Sequence, residues 1–283
     1  MTVDYETLRR DYFDLLKKSL TASLYPESSY IPVYALRGSR PSHFVRRALA
    51  RTLRVFNYKL YRMAPFNADR REQGLDWPSF GYSMIGLTGL SNLQECVETV
   101  LREDVPGDLI ETGAWRGGAC IFMRAILRAY GSEKTVWVAD SFEGLPSATA
   151  EPDRVLARLR PDNFDLAGHP HLAASIEEVR ENFKRFGLLD GQVKFLKGWF
   201  KDTLPSAPIE KLAILRLDGD MYESTMDVLT NLYAKVSHRG FVIVDDYYSW
   251  ESCRRAIDEF RAQHGIRAPL KEIDGSRAYW RRD

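Results

Sequence analysis

Apolar residues recur along this chain in two rhythms. From about residue 105 onward, short and nearly continuous apolar runs alternate with segments of helical period. The runs 108–112, 135–140, 192–197, 212–218 and 240–246 predict strands, and 117–130, 174–187, 223–236 and 251–264 predict helices between or after them. Strands apolar on both faces and joined by helical crossovers predict a doubly wound, mostly parallel sheet covered on both sides. Such α/β folds bind ligands at the carboxyl ends of their strands. Ahead of this unit, Tyr5, Leu8, Tyr12, Leu15 and Leu16 fall at helical spacing within 4–20, which predicts an amphipathic helix packed on the main body. Residues 42–63 align Val45, Leu49, Leu53, Phe56, Leu60 and Met63 on one stripe and predict a second helix. The expected division is a helical extension over 1–75 and a chemistry-bearing domain over 76–283.

Composition narrows the class. At 283 residues, 45% hydrophobic and 28% charged, the chain can bury a large core, and no run approaches the roughly 18–20 apolar residues of a membrane span. Forty Lys and Arg against 39 Asp and Glu remove any whole-chain argument for a nucleic-acid binder. The one strongly basic stretch, 37–71, has ten Arg or Lys and only Asp69 against them. Its apolar stripe needs a cover: the same chain or a neighbouring subunit, a bound substrate at an access arm, or a membrane surface. Packing within a homo-oligomer is the expectation, and membrane association is not. Cys96, Cys120 and Cys253 are odd in number and lack metal-ligand spacing, so buried reduced thiols are expected. The charged N-terminus MTVDYETLRRDYF has no apolar signal core, which makes the cytoplasm the expected compartment. His169 and His171 lie in a polar stretch, 147–172, long enough to form a substrate lid.

The chemistry is sought at the strand ends. After the first strand comes Glu111-Thr112-Gly113-Ala114-Trp115-Arg116-Gly117-Gly118, a glycine-rich turn that lets a ligand approach backbone N–H groups but is not the dinucleotide G-x-G-x-x-G. A nicotinamide oxidoreductase is thereby disfavoured. Glu111 would repel a pyrophosphate, yet it could balance the positive charges of S-adenosylmethionine. Asp140, followed by Ser141 at the end of the second strand, can accept hydrogen bonds from ribose hydroxyls. Gly198 and Trp199 after the third strand offer a wall for an adenine ring. Asp218 and Asp220 end the fourth strand and Asp245 and Asp246 the fifth. Four carboxylates there call for a hard divalent cation such as Mg²⁺, Mn²⁺ or Ca²⁺.

The segments GDLIETGAWRGG, VADSFEGLP, FLKGWFKDTLP, LAILRLDGDMYEST and FVIVDDY, in that order, resemble the macrocin O-methyltransferase family, which methylates sugar hydroxyls of natural products. The resemblance covers roughly 75–283 and implies a class I, Rossmann-like methyltransferase fold with S-adenosylmethionine and Mg²⁺. It implies Asp218, Asp245 and Asp246 as metal ligands and Asp220 as general base. It also implies that the segment holding Ser83 and Met84 touches the methionine end of the cofactor. The chain departs from the family pattern at Gly89-Leu90-Ser91-Asn92, where Arg-Leu-Asp-Asn is expected, and in the basic 37–71 segment. A small-molecule glycoside is the acceptor implied; a catechol, whose two oxygens would chelate the same cation, is the alternative.

Overall fold

A computed structural model describes residues 4–25, 28–32, 45–46, 48–49, 52–53, 58, 60–76, 78–159 and 172–283. Its centre is a seven-stranded sheet. The apolar runs form β3 (Asp108–Thr112), β4 (Val136–Asp140), β5 (Val193–Lys197), β6 (Leu212–Leu217) and β7 (Val236–Val244), all parallel, in the order β5-β4-β3-β6-β7. The first strands of the chain, β1 (Ser29–Pro32) and β2 (Tyr61–Ala64), form a separate antiparallel pair.

Alternation along each strand feeds two cores. In β4, Val136 and Val138 enter one apolar cluster while Trp137 and Ala139 enter the other. Helices α4 (Gly118–Ala129) and α6 (Ile176–Arg185) cover the first face, and α8 (Tyr222–Leu232) and α9 (Glu251–Gln263) the second. Helix α3 (Gly86–Arg102), not among the predicted elements, packs on α4 through Leu90, Leu93 and Val97. Two further strands went unpredicted. β9 (Ala278–Arg281) runs antiparallel to β7, buries Trp280, and pairs in turn with β8 (Lys271–Glu272).

Helix α1 (Tyr5–Leu20) forms as expected, with Asp4 capping it by accepting from the Glu6 N–H at 3.1 Å. Its buried face differs from the one expected. Phe13, Leu16 and Leu20 enter the core, with Phe13 edge-on to Phe122, whereas Tyr5, Leu8, Tyr12 and Leu15 stay exposed. The apolar arc of α1 is broader than the groove it fills, so only one edge of it is covered. The predicted helix over 42–63 is corrected at its end. Residues 45–46, 48–49 and 52–53 are helical, but Met63 lies in β2, where pairing with Tyr30 draws it out of any helix. Val45 and Leu49 are exposed, and Phe56 lies outside the described residues. All three cysteines are buried and free, as expected. No helix among the described residues is long and apolar enough to cross a membrane.

Candidate functional site

The parallel ladder continues past the strands and lines up their ends. The Gly198 N–H donates to Asp140, that of Gly113 to Ala139, that of Asp218 to Thr112 and that of Asp245 to Leu217, all at 2.8–2.9 Å. One row of backbone therefore carries Gly198, Asp140, Gly113, Asp218 and Asp245. The sheet reverses its winding between β3 and β6, and the crevice opens there. At this point Gly113, with φ +95°, passes so near Asp218 that any Cβ would overlap its carbonyl oxygen.

Above the row lies a cavity of about 470 Å³. Of the expected cofactor residues, Met84, Gly113, Asp140, Ser141, Gly198 and Trp199 line it. Asp140 holds both flanking turns: its carboxylate accepts from the N–H groups of Ala114 (2.6 Å), Trp115 (3.2 Å) and Phe142 (2.6 Å). Burial pushes its pKa up, against the pull of these donors.

Three expected residues lie elsewhere. Glu111 sits beneath the strand ends, buried, with Oε1 2.5 Å from Arg216 and Oε2 accepting from the Cys120 thiol at 2.9 Å. Alternation explains this, because Glu111 shares a face with Leu109, the side that α4 covers and where Cys120 meets it. Gly117 is the left-handed cap residue of α4, packed on Val179 and Phe183. Ser83 is buried beside the end of α1, its N–H donating to Leu20 at 3.1 Å.

The acids form two groups around Arg216, which is 1% exposed and extends from β6. Its guanidinium donates to Glu111, to Asp218 Oδ2 at 2.7 Å and to Asp245 Oδ1. Arg277, from the turn before β9, donates to the same Asp245 oxygen at 2.9 Å, to Asp274 at 2.7 Å and to the Gln73 carbonyl at 3.2 Å. Asp245 is thus tied to two cations, which hold its carboxyl below the usual range despite burial. Asp218, Asp220 and Asp246 make the other group, each with an oxygen within 4.8 Å of the others. Burial, and then Asp245, push Asp218 well up; burial, and then Asp220, do the same to Asp246. The Asp220 and Asp246 side chains hydrogen-bond each other, and Ser249 donates to Asp246 at 2.8 Å.

Four carboxylates, those of Glu111, Asp218, Asp245 and Asp274, therefore meet two guanidinium groups, and Asp220 and Asp246 are set beside Asp218. An oxygen-only set of clustered carboxyl groups fits a hard divalent cation. Gly219 could have let the chain turn and swing Asp220 outward from Asp218. Asp220 itself takes the left-handed conformation (φ +56°), so its carboxylate stays beside Asp218 and Asp246 instead of swinging away. Asp218 and Asp220 line the cavity; Asp245 and Asp246 lie behind them.

Several lining residues had no sequence assignment. A strap over 144–149 brings Leu145, Pro146 and Thr149, and the first turns of α8 bring Glu223, Ser224 and Asp227. The strap runs into α5 (Glu151–Leu159), whose buried Asp153 accepts from the N–H groups of Tyr222 (2.9 Å) and Glu223 (3.3 Å) and so caps α8. A polar residue followed by a helix was the available signal. Arg216 had a clearer one, as a lone charge inside the apolar run LAILRLD. The lid histidines, His169 and His171, lie outside the described residues.

The sequence model of the family described as "Macrocin-O-methyltransferase (TylF)" matches residues 9–282. The chain is 52% identical over 241 residues to 8-demethyl-8-(2,3-dimethoxy-alpha-L-rhamnosyl)-tetracenomycin-C 4'-O-methyltransferase of Streptomyces olivaceus, covering 81% of this chain and 89% of that protein. It is 44% identical over 272 residues to mycinamicin III 3''-O-methyltransferase of Micromonospora griseorubida, covering 96% of each. Among solved structures, the O-methyltransferase NovP superposes with a TM-score of 0.78 at 44% identity, over 99% of both chains.

Proposed function

The chain belongs to the macrocin O-methyltransferase family and is an O-methyltransferase, and we propose that it moves a methyl group from S-adenosylmethionine to a sugar hydroxyl of a glycosylated natural product. The observation that carries this reading is one cavity joining the Gly113, Asp140 and Trp199 half to Asp218 and Asp220. Methyl donor and acceptor oxygen must meet in line, and this cavity spans the crevice where both would lie.

Asp140, Ser141, Gly198 and Trp199 would hold the nucleoside end of the donor, and Met84 its methionine end. Asp218 and Asp246 would hold a divalent cation. These two belong both to the oxygen cluster of the structure and to the ligand set implied by family resemblance, in which Asp245 is the third. When bound, the cation polarises an acceptor oxygen and the sulfonium supplies the methyl group. Asp220, the other acid facing the cavity, would take the proton of the acceptor hydroxyl. In that transfer the C–O bond would form as the S–C bond broke, the electron pair would remain with the donor's sulfur, and the Asp220 carboxylate would hold the proton. Arg216 and Arg277 orient Asp245 and Asp218 from below.

The remaining parts of the proposal are assembly, division and compartment. The exposed Tyr5, Leu8, Tyr12 and Leu15 of α1 support a homo-oligomer, with 1–75 as the extension that builds it and 76–283 as the methyltransferase domain, acting in the cytoplasm. Mass spectrometry of products from S-adenosylmethionine, Mg²⁺ and either a rhamnoside or a catechol tests the central claim. Methylation of the rhamnoside is expected; methylation of the catechol alone would replace the sugar with an aromatic diol.

A further inference from the structure

Ser224 is 7% exposed and lines the cavity, yet its hydroxyl has no hydrogen-bond partner among the described residues. A serine inside a helix ordinarily bonds the carbonyl one turn back, and this one does not. The oxygen itself is not sealed off but opens to the cavity, where a ligand or water can meet it. Its position is specific: the Ser224 Cβ lies 3.1 Å from where a Cβ on Gly219 would be, and Gly219 separates the two cavity-facing acids Asp218 and Asp220. The hydroxyl is therefore a neighbour of the reacting oxygen in the proposed reaction.

Two carboxylates extend the same edge outward. Glu223 and Asp227 are one helical turn apart on α8, and both line the cavity. Carboxylates only accept hydrogen bonds, and so they match donors such as saccharide hydroxyls. Glu223 already acts this way toward a hydroxyl, accepting from Thr149 of the strap. On the opposite side, the edge of Phe200 would come within 3.2 Å of a Cβ on Gly219, which supplies an apolar surface for a ring face. Topology separates this edge from the donor half. Gly113, Asp140 and Gly198 follow β3, β4 and β5, whereas α8 follows β6, beyond the point where the winding reverses.

We propose that the first turn and a half of α8 is the acceptor-recognition edge: Ser224 hydrogen-bonds a sugar oxygen adjacent to the one methylated, and Glu223 and Asp227 accept from hydroxyls farther out. This rests on the sugar O-methyltransferase reading and adds which residues choose the hydroxyl.

The test compares the wild-type protein with Ser224→Ala and Asp227→Asn on an aryl α-L-rhamnoside and its 2-, 3- and 4-deoxy counterparts. Kinetics are measured with S-adenosylmethionine and Mg²⁺, acceptor binding in the presence of S-adenosylhomocysteine by titration calorimetry, and S-adenosylhomocysteine affinity separately. Ser224→Ala is expected to lower kcat/KM on the parent rhamnoside about 10-fold, the loss of one neutral hydrogen bond. It should also abolish the discrimination that the wild type shows against one deoxy sugar. S-adenosylhomocysteine affinity should stay within about threefold, and Tm should be unchanged, since the hydroxyl makes no bond to the described residues. Asp227→Asn should affect a different deoxy position. Unchanged discrimination in Ser224→Ala, or a loss confined to S-adenosylhomocysteine affinity, overturns the proposal while rhamnoside methylation by the wild type leaves the sugar reading intact. A wild type that neither binds nor methylates any rhamnoside overturns both.

Discussion

Gly113 and Asp218 lie backbone to backbone at the point where the sheet reverses its winding, with no room for a side chain between them. The left-handed φ of Gly113 adds a second bar to any other residue. Gly113→Ala is expected to cost about 2–4 kcal/mol, combining backbone strain with overpacking. It should weaken S-adenosylhomocysteine binding in parallel, because the displaced turn carries the Ala114 and Trp115 amides that Asp140 holds. Urea unfolding and calorimetric titration measure the two effects.

Arg216 balances the buried Glu111, the largely buried Asp245 and the partly exposed Asp218 at once. Arg216→Leu leaves Glu111 and Asp218 without this counter-ion, while Asp245 keeps Arg277, and should lower stability by about 3–5 kcal/mol, the usual consequence of breaking a buried pair from one side. Glu111→Gln is expected to behave differently from a cofactor-site substitution. It should alter stability while S-adenosylhomocysteine affinity stays within about threefold, since Glu111 does not line the cavity; a larger loss of affinity would return Glu111 to the binding site.

The raised carboxyls of Asp218 and Asp246 set a pH signature for cation binding. Their folded pKa values lie above the unfolded value of about 4, so without a cation their stabilising contribution is complete below that value and is lost as pH rises through the folded values. Asp245, held low, has the opposite sign: its contribution is present above the unfolded value and lost as pH falls. A bound cation substitutes for the protons on Asp218 and Asp246. The gain in Tm on adding Mg²⁺ should therefore grow from pH 5 to pH 8, as scanning fluorimetry with and without EDTA would show. A gain independent of pH would place the cation elsewhere.

Asp220 and Asp245 are separable by paired substitutions. Asp220→Asn should lower kcat by roughly 10²–10⁴, the range for losing a general base, with Mg²⁺ affinity changed only a few-fold. If Mg²⁺ affinity collapses and excess Mg²⁺ restores turnover, Asp220 is a ligand. Asp245→Asn removes the shared partner of Arg216 and Arg277 and is expected to lower Tm as well as turnover.

The cap on α8 by Asp153 gives a last test. Asp153→Ala releases the Tyr222 and Glu223 amides and should cost about 1 kcal/mol. Because the same contact seats the strap on the cavity, acceptor KM should rise while S-adenosylhomocysteine affinity holds.

The parallel strands were legible because apolar runs such as LAILRL have few alternatives: β6 begins and ends within a residue of its predicted span. Asp218 and Asp220 were legible for the same reason, since they follow such a strand at its carboxyl end, where the crevice opens. What the sequence hid was pairing over long separations. Arg216 meets Glu111 across 105 positions and Arg277 meets Asp245 across 32, so composition shows the charges but not which of them are already neutralised. Glu111, expected at the cofactor on that account, lies beside Arg216 and Cys120 and outside the cavity lining. The face of α1 was misread for a related reason. Periodicity marks an apolar arc, while the width of the groove that Phe122 and its neighbours leave decides how much of the arc is covered.

The backbone row from Gly198 to Asp245 acts as a fixed ruler beneath two independently adjustable halves. The spacing of the strand ends beneath these halves is set by main-chain hydrogen bonds and not by side chains of α8 or the strap. A change in which hydroxyl is presented can therefore arise from a few substitutions at positions such as Ser224 and Asp227 without re-forming the donor half. Redirecting this enzyme to a new sugar position should accordingly need alterations on one side of the crevice only.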